Sequence, residues 1–303
     1  MLASTEGLRI DPRLLEELTS IELKSRFLVR GLYASRHRTA DHGPSSEFVE
    51  HRDYRFGDEL RTIDWRAFAR TERLFVKVYE MESNMRIHLL LDTSDSMRVP
   101  PWEGHPGKLG LAAVIAGAIG AMGQAQRDAV GLFSIGDRLE KQIPARQGEA
   151  HLALLYRELE NPPGRGGGAF GERVIEAGSR LGSRGMVVLL TDALDTPEAL
   201  EAALQRLRVR RHDATVIQIL DRREVEFPYD RMTEFCHPET GRRIVGHPAS
   251  LRERYLERLK AHNEKIGEIC RKSEADHLFL HTGDDLRKLL TLHFIRRLLR
   301  RSR

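Results

Sequence analysis

Cysteine is scarce in this chain: there are two, Cys236 and Cys270, in 303 residues, and they stand in no C-x-x-C or comparable metal-ligand spacing. A disulfide framework is therefore excluded as the source of stability, and a chain of this length buries enough apolar surface without one. Such sparing use of cysteine suits a reducing compartment, so a cytoplasmic location is expected. The N-terminal Met-Leu-Ala-Ser-Thr-Glu-Gly lacks the basic-then-apolar pattern of a secretory signal. Long apolar runs are missing too. The longest, residues 109–123, falls short of the roughly 20 residues that a span requires, and its many Gly and Ala residues suit a helix packed closely on a sheet. No transmembrane segment is expected.

Signatures of catalysis are also lacking. There is no G-x-x-x-x-G-K-[ST], so ATP hydrolysis by this chain is not expected. The string Gly164-Arg165-Gly166-Gly167-Gly168-Ala169 spells G-x-G-x-x-A, but it follows Asn161-Pro162-Pro163 instead of a strand and is no dinucleotide fingerprint. Cys236, His237 and His247 lack a second ligand pair for zinc. No Ser, Cys and His combination stands in a nucleophile context. The net charge is only +4, with cations interleaved with acids except at the end, Arg296-Arg297-Leu298-Leu299-Arg300-Arg301-Ser302-Arg303. The favoured reading of that end is a solvated helix face with a charged tail, and contact with nucleic acid or anionic lipid is the alternative.

What is present is alternation. Short apolar runs at 87–91, 129–135, 139–143, 186–190, 214–220 and 278–280 read as strands, and amphipathic or small-residue helices lie between most of them, at 149–159, 197–209 and 249–272 among others. This order predicts an α/β fold, a doubly wound, mostly parallel sheet with helices on both faces. Apolar spacing predicts an N-terminal helix over 14–32 ending near Gly31, and two strands, 48–55 and 74–82, form a small β-containing arm. The expected organisation is an N-terminal helix and arm over 1–84, then an α/β domain over 85–303. Residues 222–248 make an irregular insertion with a hairpin turn at Glu239-Thr240-Gly241, and a last helix covers 284–301.

In an open α/β sheet, ligands bind outside the carboxyl ends of the strands. Two predicted strands end in polar residues there: one in Asp92-Thr93-Ser94-Asp95-Ser96, the other in Thr191-Asp192. An aspartate and two hydroxyls at alternate positions can converge on a hard cation. Mg²⁺ suits such a set because it keeps several waters and takes few protein ligands. Ser94 and Ser96 are expected to bind it directly, with Asp92 and Asp192 supplying charge through water. The competing reading is a hydrogen-bonded turn that caps the next helix.

Asp92, Ser94, Ser96 and Asp192 resemble the metal-ion-dependent adhesion site of von Willebrand factor A domains. Glu47-Phe48, Arg52-Asp53-Tyr54-Arg55-Phe56-Gly57-Asp58, Arg61-Thr62-Ile63-Asp64-Trp65, Ala69-Arg70, Asp92-Thr93-Ser94-Asp95-Ser96-Met97 and Glu239-Thr240-Gly241 further resemble the pattern of a bacterial family, domain of unknown function 58, from about residue 43 to the C-terminus. The resemblance implies a von Willebrand factor A-like domain and a non-catalytic adaptor that works with a MoxR-type AAA+ ATPase. The adhesion-site pattern includes a middle-loop threonine, expected near Gly168-Ala169, whereas residues 161–178 contain neither Ser nor Thr. Weakened Mg²⁺ affinity, or a vestigial site, is the implied consequence. The alternative function is a metal-dependent phosphoesterase or nuclease using Asp58, Asp64, Asp92 and Asp192, which requires direct carboxylate coordination and a general base. Within the arm, Asp58, Arg61, Asp64, Trp65 and Arg70 are read as a partly buried ion-pair network that locks the arm onto the sheet, with an exposed partner-reading surface as the alternative.

Overall fold

The structure is a computed structural model and describes residues 20–36, 47–54, 63–80, 85–102, 105–167, 170–182 and 184–284. Its centre is a six-stranded sheet built from β3 (Arg86–Asp92), β4 (Ala129–Ile135), β5 (Leu139–Arg146), β6 (Met186–Thr191), β7 (Asp213–Leu220) and β10 (Asp276–His281). Ahead of it stand α1 (Ile21–Arg36), β1 (Glu47–Asp53), α2 (Trp65–Thr71) and β2 (Phe75–Glu80). The strand order is β10-β7-β6-β3-β4-β5. All neighbours are parallel except β5, which runs antiparallel to β4 at one edge. As expected, the strand ending near Leu91 lies inside the sheet, flanked in parallel by β4 and β6.

The reason lies in the side chains. Leu89, Leu90 and Leu91 are all fully buried, and residues alternating along a strand point to opposite faces, so β3 must be covered on both sides. One cover consists of α3 (Lys108–Ala125), α4 (Glu149–Glu160) and α1; the other consists of α5 (Phe170–Arg180), α6 (Pro197–Val209) and α8 (Pro248–Lys272). Among the described residues α3 is the one helix long and apolar enough to cross a membrane, yet most of it is buried inside the protein, as in a core helix. Its small residues let α1 approach. Ser25 on α1 donates to the Val114 carbonyl at 3.1 Å, and a Cβ at Gly117 would collide with the Ser25 hydroxyl.

Several boundaries differ from the sequence reading. Residues 14–19 and the predicted last helix, beyond Asp284, lie outside the described residues. Gly31 does not end α1, which continues to Arg36, and Ile21, Leu28 and Val29 of its earlier turns pack into the core. Strand β5 runs three residues past its expected end, paired with β4 through a register irregularity. The stretch 222–248 contains a short helix, α7 (Arg222–Glu226), and an antiparallel hairpin of β8 (Thr233–Cys236) and β9 (Arg243–Gly246).

The arm departs most. Asp58 and Arg61 lie outside the described residues. Asp64 is buried, but as the N-cap of α2, accepting from the backbone N–H groups of Arg66 (2.9 Å) and Ala67 (3.1 Å). Trp65 is 59% exposed, and Arg70 is exposed with its Nε on the Arg66 carbonyl. The favoured reading, a buried network containing Trp65 and Arg70, is therefore corrected: the roughly two-turn helix buries only Ala67.

Candidate functional site at the carboxyl ends of the strands

At the end of β3 the chain turns tightly. Asp92 Oδ1 accepts the Ser94 N–H at 3.0 Å, and Asp92 Oδ2 accepts the Thr191 hydroxyl at 2.6 Å, tying the ends of β3 and β6 together. The Thr93 N–H is held by the Ile135 carbonyl at the end of β4, and the Asp95 N–H by Gly166 of the Pro/Gly loop. These bonds aim the two serines at each other. Ser94 Oγ and Ser96 Oγ are 3.0 Å apart, and both residues are buried. The arrangement suits a hard cation: adjacent oxygens of an Mg²⁺ octahedron with ligands at 2.0–2.1 Å stand about 2.9 Å apart. Ser94 and Ser96 are thus spaced as neighbouring ligands, while both oxygens of Asp92 are engaged by protein donors and leave it a source of charge behind them.

Burial, and next the charge of Asp192, push the Asp92 carboxyl up to about 7; the bonds from Thr191 and Ser94 pull the other way. Two acids share this pocket, and the protein answers one of them itself. Lys108, from the first turn of α3, is 1% exposed, and its ammonium donates to Asp192 Oδ2 at 2.9 Å and to Glu224 Oε1 at 2.8 Å. Burial opposes its charge, but Asp192 and Glu224 more than offset this and raise its pKa. The other oxygen of Asp192 accepts the Leu194 N–H at 3.2 Å. Glu224 is placed by a capping box, in which Asp221 accepts from Arg223 N–H while Glu224 accepts from Asp221 N–H. Three strand ends, β3, β6 and β7, are therefore joined through buried polar groups.

A further acid comes from the β8–β9 hairpin. The Glu239 carboxylate lies against Gly167, where any Cβ would collide with its Oε1, and its turn is shaped by His237 Nδ1, which accepts the N–H groups of Glu239 and Thr240 at 3.3 Å. Burial first, then the charges of Asp192, Asp195 and Asp95, raise the Glu239 pKa, placing it at the acidic rim of the site. In this loop the expected middle threonine is absent. Thr93 Oγ1, fully buried, faces Gly164 without a hydrogen-bond partner.

The structure thus brings together Asp92, Ser94, Ser96 and Asp192, and leaves Asp64, Trp65 and Arg70 on the separate arm. Sequence reasoning missed Lys108 and Glu224. The former reads as an ordinary first-turn lysine, and its acceptors lie 84 and 116 residues away. Cys236, His237 and His247 form no ligand group. Cys236 is exposed, and both His237 Nδ1 and His247 Nδ1 accept from backbone amides, the latter as the N-cap of α8. Among the described residues no three His, Cys, Asp or Glu side chains are gathered as a metal-holding group, so a cation here would depend on the hydroxyls.

The family model described as Protein of unknown function DUF58 matches residues 50–265, which include both the arm and the strand-end loops. The chain belongs to this family. Similar chains include Uncharacterized protein Rv1480 of Mycobacterium tuberculosis and Uncharacterized protein Mb1516 of Mycobacterium bovis, each 27% identical over 280 residues, covering 91% of this chain and 87% of theirs. Solved structures of related course include an aerotolerance-related membrane protein from Bacteroides fragilis (15% identity, 70% of this chain and 99% of that one, TM-score 0.47). The SpRpn10 VWA domain is another (12% identity, 69% and 94%, TM-score 0.40). For this DUF58 member the fold is defined by its own strand order and parallel register, a mostly parallel α/β sheet with helices on both faces.

Proposed function

We propose that this protein is a non-catalytic interaction module whose strand-end loops bind a partner through a weakly held Mg²⁺. The observation that carries the reading is the pair of buried hydroxyls, Ser94 and Ser96, 3.0 Å apart in front of an ionisable Asp92. When bound, the cation supplies an exchangeable position that attracts a carboxylate of the partner. The chain's own groups hold that position in place: Asp92 and Thr191 fix the loop, and Lys108 retains Asp192. Because Lys108 already neutralises part of the acidic charge, and no threonine stands in 161–178, the affinity for the cation is low.

The resemblance stated above points to a MoxR-type AAA+ ATPase as the partner and to the cytoplasm as the place of work. Pull-down of such an ATPase with the wild-type chain, weakened by Asp92→Ala and by Asp192→Ala and reduced by chelator, is the expected result. Equal recovery with both variants would remove the site from the interface. The metal-dependent phosphoesterase reading is less well supported, since it needs convergent carboxylates and Asp92 and Asp192 have all four oxygens bonded within the protein. Nucleic-acid binding rests on the C-terminal arginines, which lie outside the described residues.

A further inference from the structure

Helix α2 is inside out. At about 100° per residue, Trp65, Phe68 and Ala69 share one face, Arg66 and Arg70 lie beside it, and Ala67 points the opposite way. Ala67 is the residue that is buried, while Trp65 is 59% exposed and Phe68 is 38% exposed. A surface helix normally turns its large apolar side chains inward. Here Trp65 turns most of its surface and Phe68 more than a third of its surface to solvent, and exposed aromatics grouped with arginines are the composition of interface anchors.

We propose that this face of α2 is a docking surface for an acidic protein segment carrying a large apolar side chain. The rings make an edge-to-face pair, centroids 6.2 Å apart at 85°, leaving a step that an apolar side chain can fill. Beside it, among the described residues, the Arg66 guanidinium makes no ion pair and Arg70 uses only Nε, on the Arg66 carbonyl at 3.3 Å. Two free planar forks next to an aromatic step fit carboxylates that flank an apolar residue. The platform is stiff. Asp64 caps the first turn, its N–H is held by the Phe75 carbonyl at 2.8 Å, and Glu72 closes the last turn in a left-handed conformation with its N–H on Phe68. Little ordering is left to be done on binding. Charge argues for a protein segment over nucleic acid: among the described residues Glu72 and Asp53 interrupt the cations of the arm, and edge-to-face rings offer no stacked platform for successive bases.

The chain has two tryptophans, so in a Trp102→Phe background Trp65 is the sole indole reporter. The full chain is titrated with a short amphipathic peptide of Glu, Asp and Leu, and separately with a Lys/Leu peptide, a single-stranded oligonucleotide and anionic vesicles. A saturable blue shift of Trp65 emission with the acidic peptide is expected. The shift should weaken at least about tenfold in Arg66→Glu/Arg70→Glu, weaken with salt, and persist in Ser94→Ala/Ser96→Ala. Circular dichroism and melting of each variant separate lost binding from lost folding. No shift with the acidic peptide, an equal shift with the Lys/Leu peptide, or a shift given only by oligonucleotide or vesicles would overturn the proposal.

Discussion

Two buried ionisable sites at opposite ends of the six-stranded sheet, the Asp92–Asp192–Lys108 cluster and His88, are treated in opposite ways. At the carboxyl end, Asp92, Asp192, Asp221 and Lys108 are almost completely enclosed, and each has a partner on another strand end or in its own turn. At the amino end, His88 on β3 is enclosed to a similar degree, 5% exposed, and neither ring nitrogen has a hydrogen-bond partner among the described residues. Its neighbours are the Phe133 and His212 rings, each with centroid 6.4 Å away. Charge is tolerated where it is answered, and refused where it is not. Burial, then His212 and Arg86, lower the His88 pKa to about 4, whereas Lys108 stays an ammonium in an equally dry place. The end at which buried charge is answered is also the end that carries the proposed cation site.

The sharpest way to break this comparison is to remove the answer. Lys108→Ala leaves the buried Asp192 and the half-buried Glu224 without their cation, and a loss of about 3–5 kcal/mol in chemical denaturation is expected, as for other buried pairs deprived of one partner. Glu224→Gln should cost less, since Asp192 still holds the ammonium.

The second largest effect belongs to the other end. The folded pKa of His88 is depressed below the unfolded 6.5, so between pH 6.5 and about 4 the unfolded chain binds more protons. The stability that a neutral His88 contributes is complete above pH 6.5 and is lost as pH falls toward 4. Between pH 7.5 and 4.5 this amounts to roughly 2–3 kcal/mol. The difference in denaturation free energy between wild type and His88→Phe, followed across that window, reads the effect apart from the titrating carboxylates.

How much of this could be read from the sequence differs between regions for the same physical reason. Strand β3 was legible because its apolar run is covered on both faces whatever covers it, and Asp92 ends it; Ser94 and Ser96 followed from spacing alone. Lys108 was not legible, because its burial is decided by acceptors 84 and 116 residues further along, and nothing local distinguishes it from a solvated lysine. Trp65 was misread for the converse reason: an indole beside Ile63 and Asp64 looks like core, whereas α2 buries Ala67 and leaves the indole on its outer face. The site's polar pattern is local, whereas the ion pairs that set its charge are tertiary.

Smaller effects are expected where polar atoms answer only each other or face water. Ser94→Ala/Ser96→Ala removes both partners of one mutual contact and should change stability by no more than about 1 kcal/mol. Trp65→Ala, on the exposed arm, should stay within about 0.5 kcal/mol in the same denaturation assay. Were the serine pair instead to cost as much as Lys108→Ala, the hydroxyls would be structural groups of the turn.

The most direct test of the cation-dependent site is calorimetric titration of the metal-free protein with Mn²⁺ at pH 8, above the value to which Asp92 is raised, in parallel with folded Ser94→Ala/Ser96→Ala. Weak, saturable, one-site binding by the wild type, competed by Mg²⁺ and lost in the double variant, is the result that a hydroxyl-held cation predicts. Binding that is unchanged in the double variant, or absent from the wild type, would contradict it.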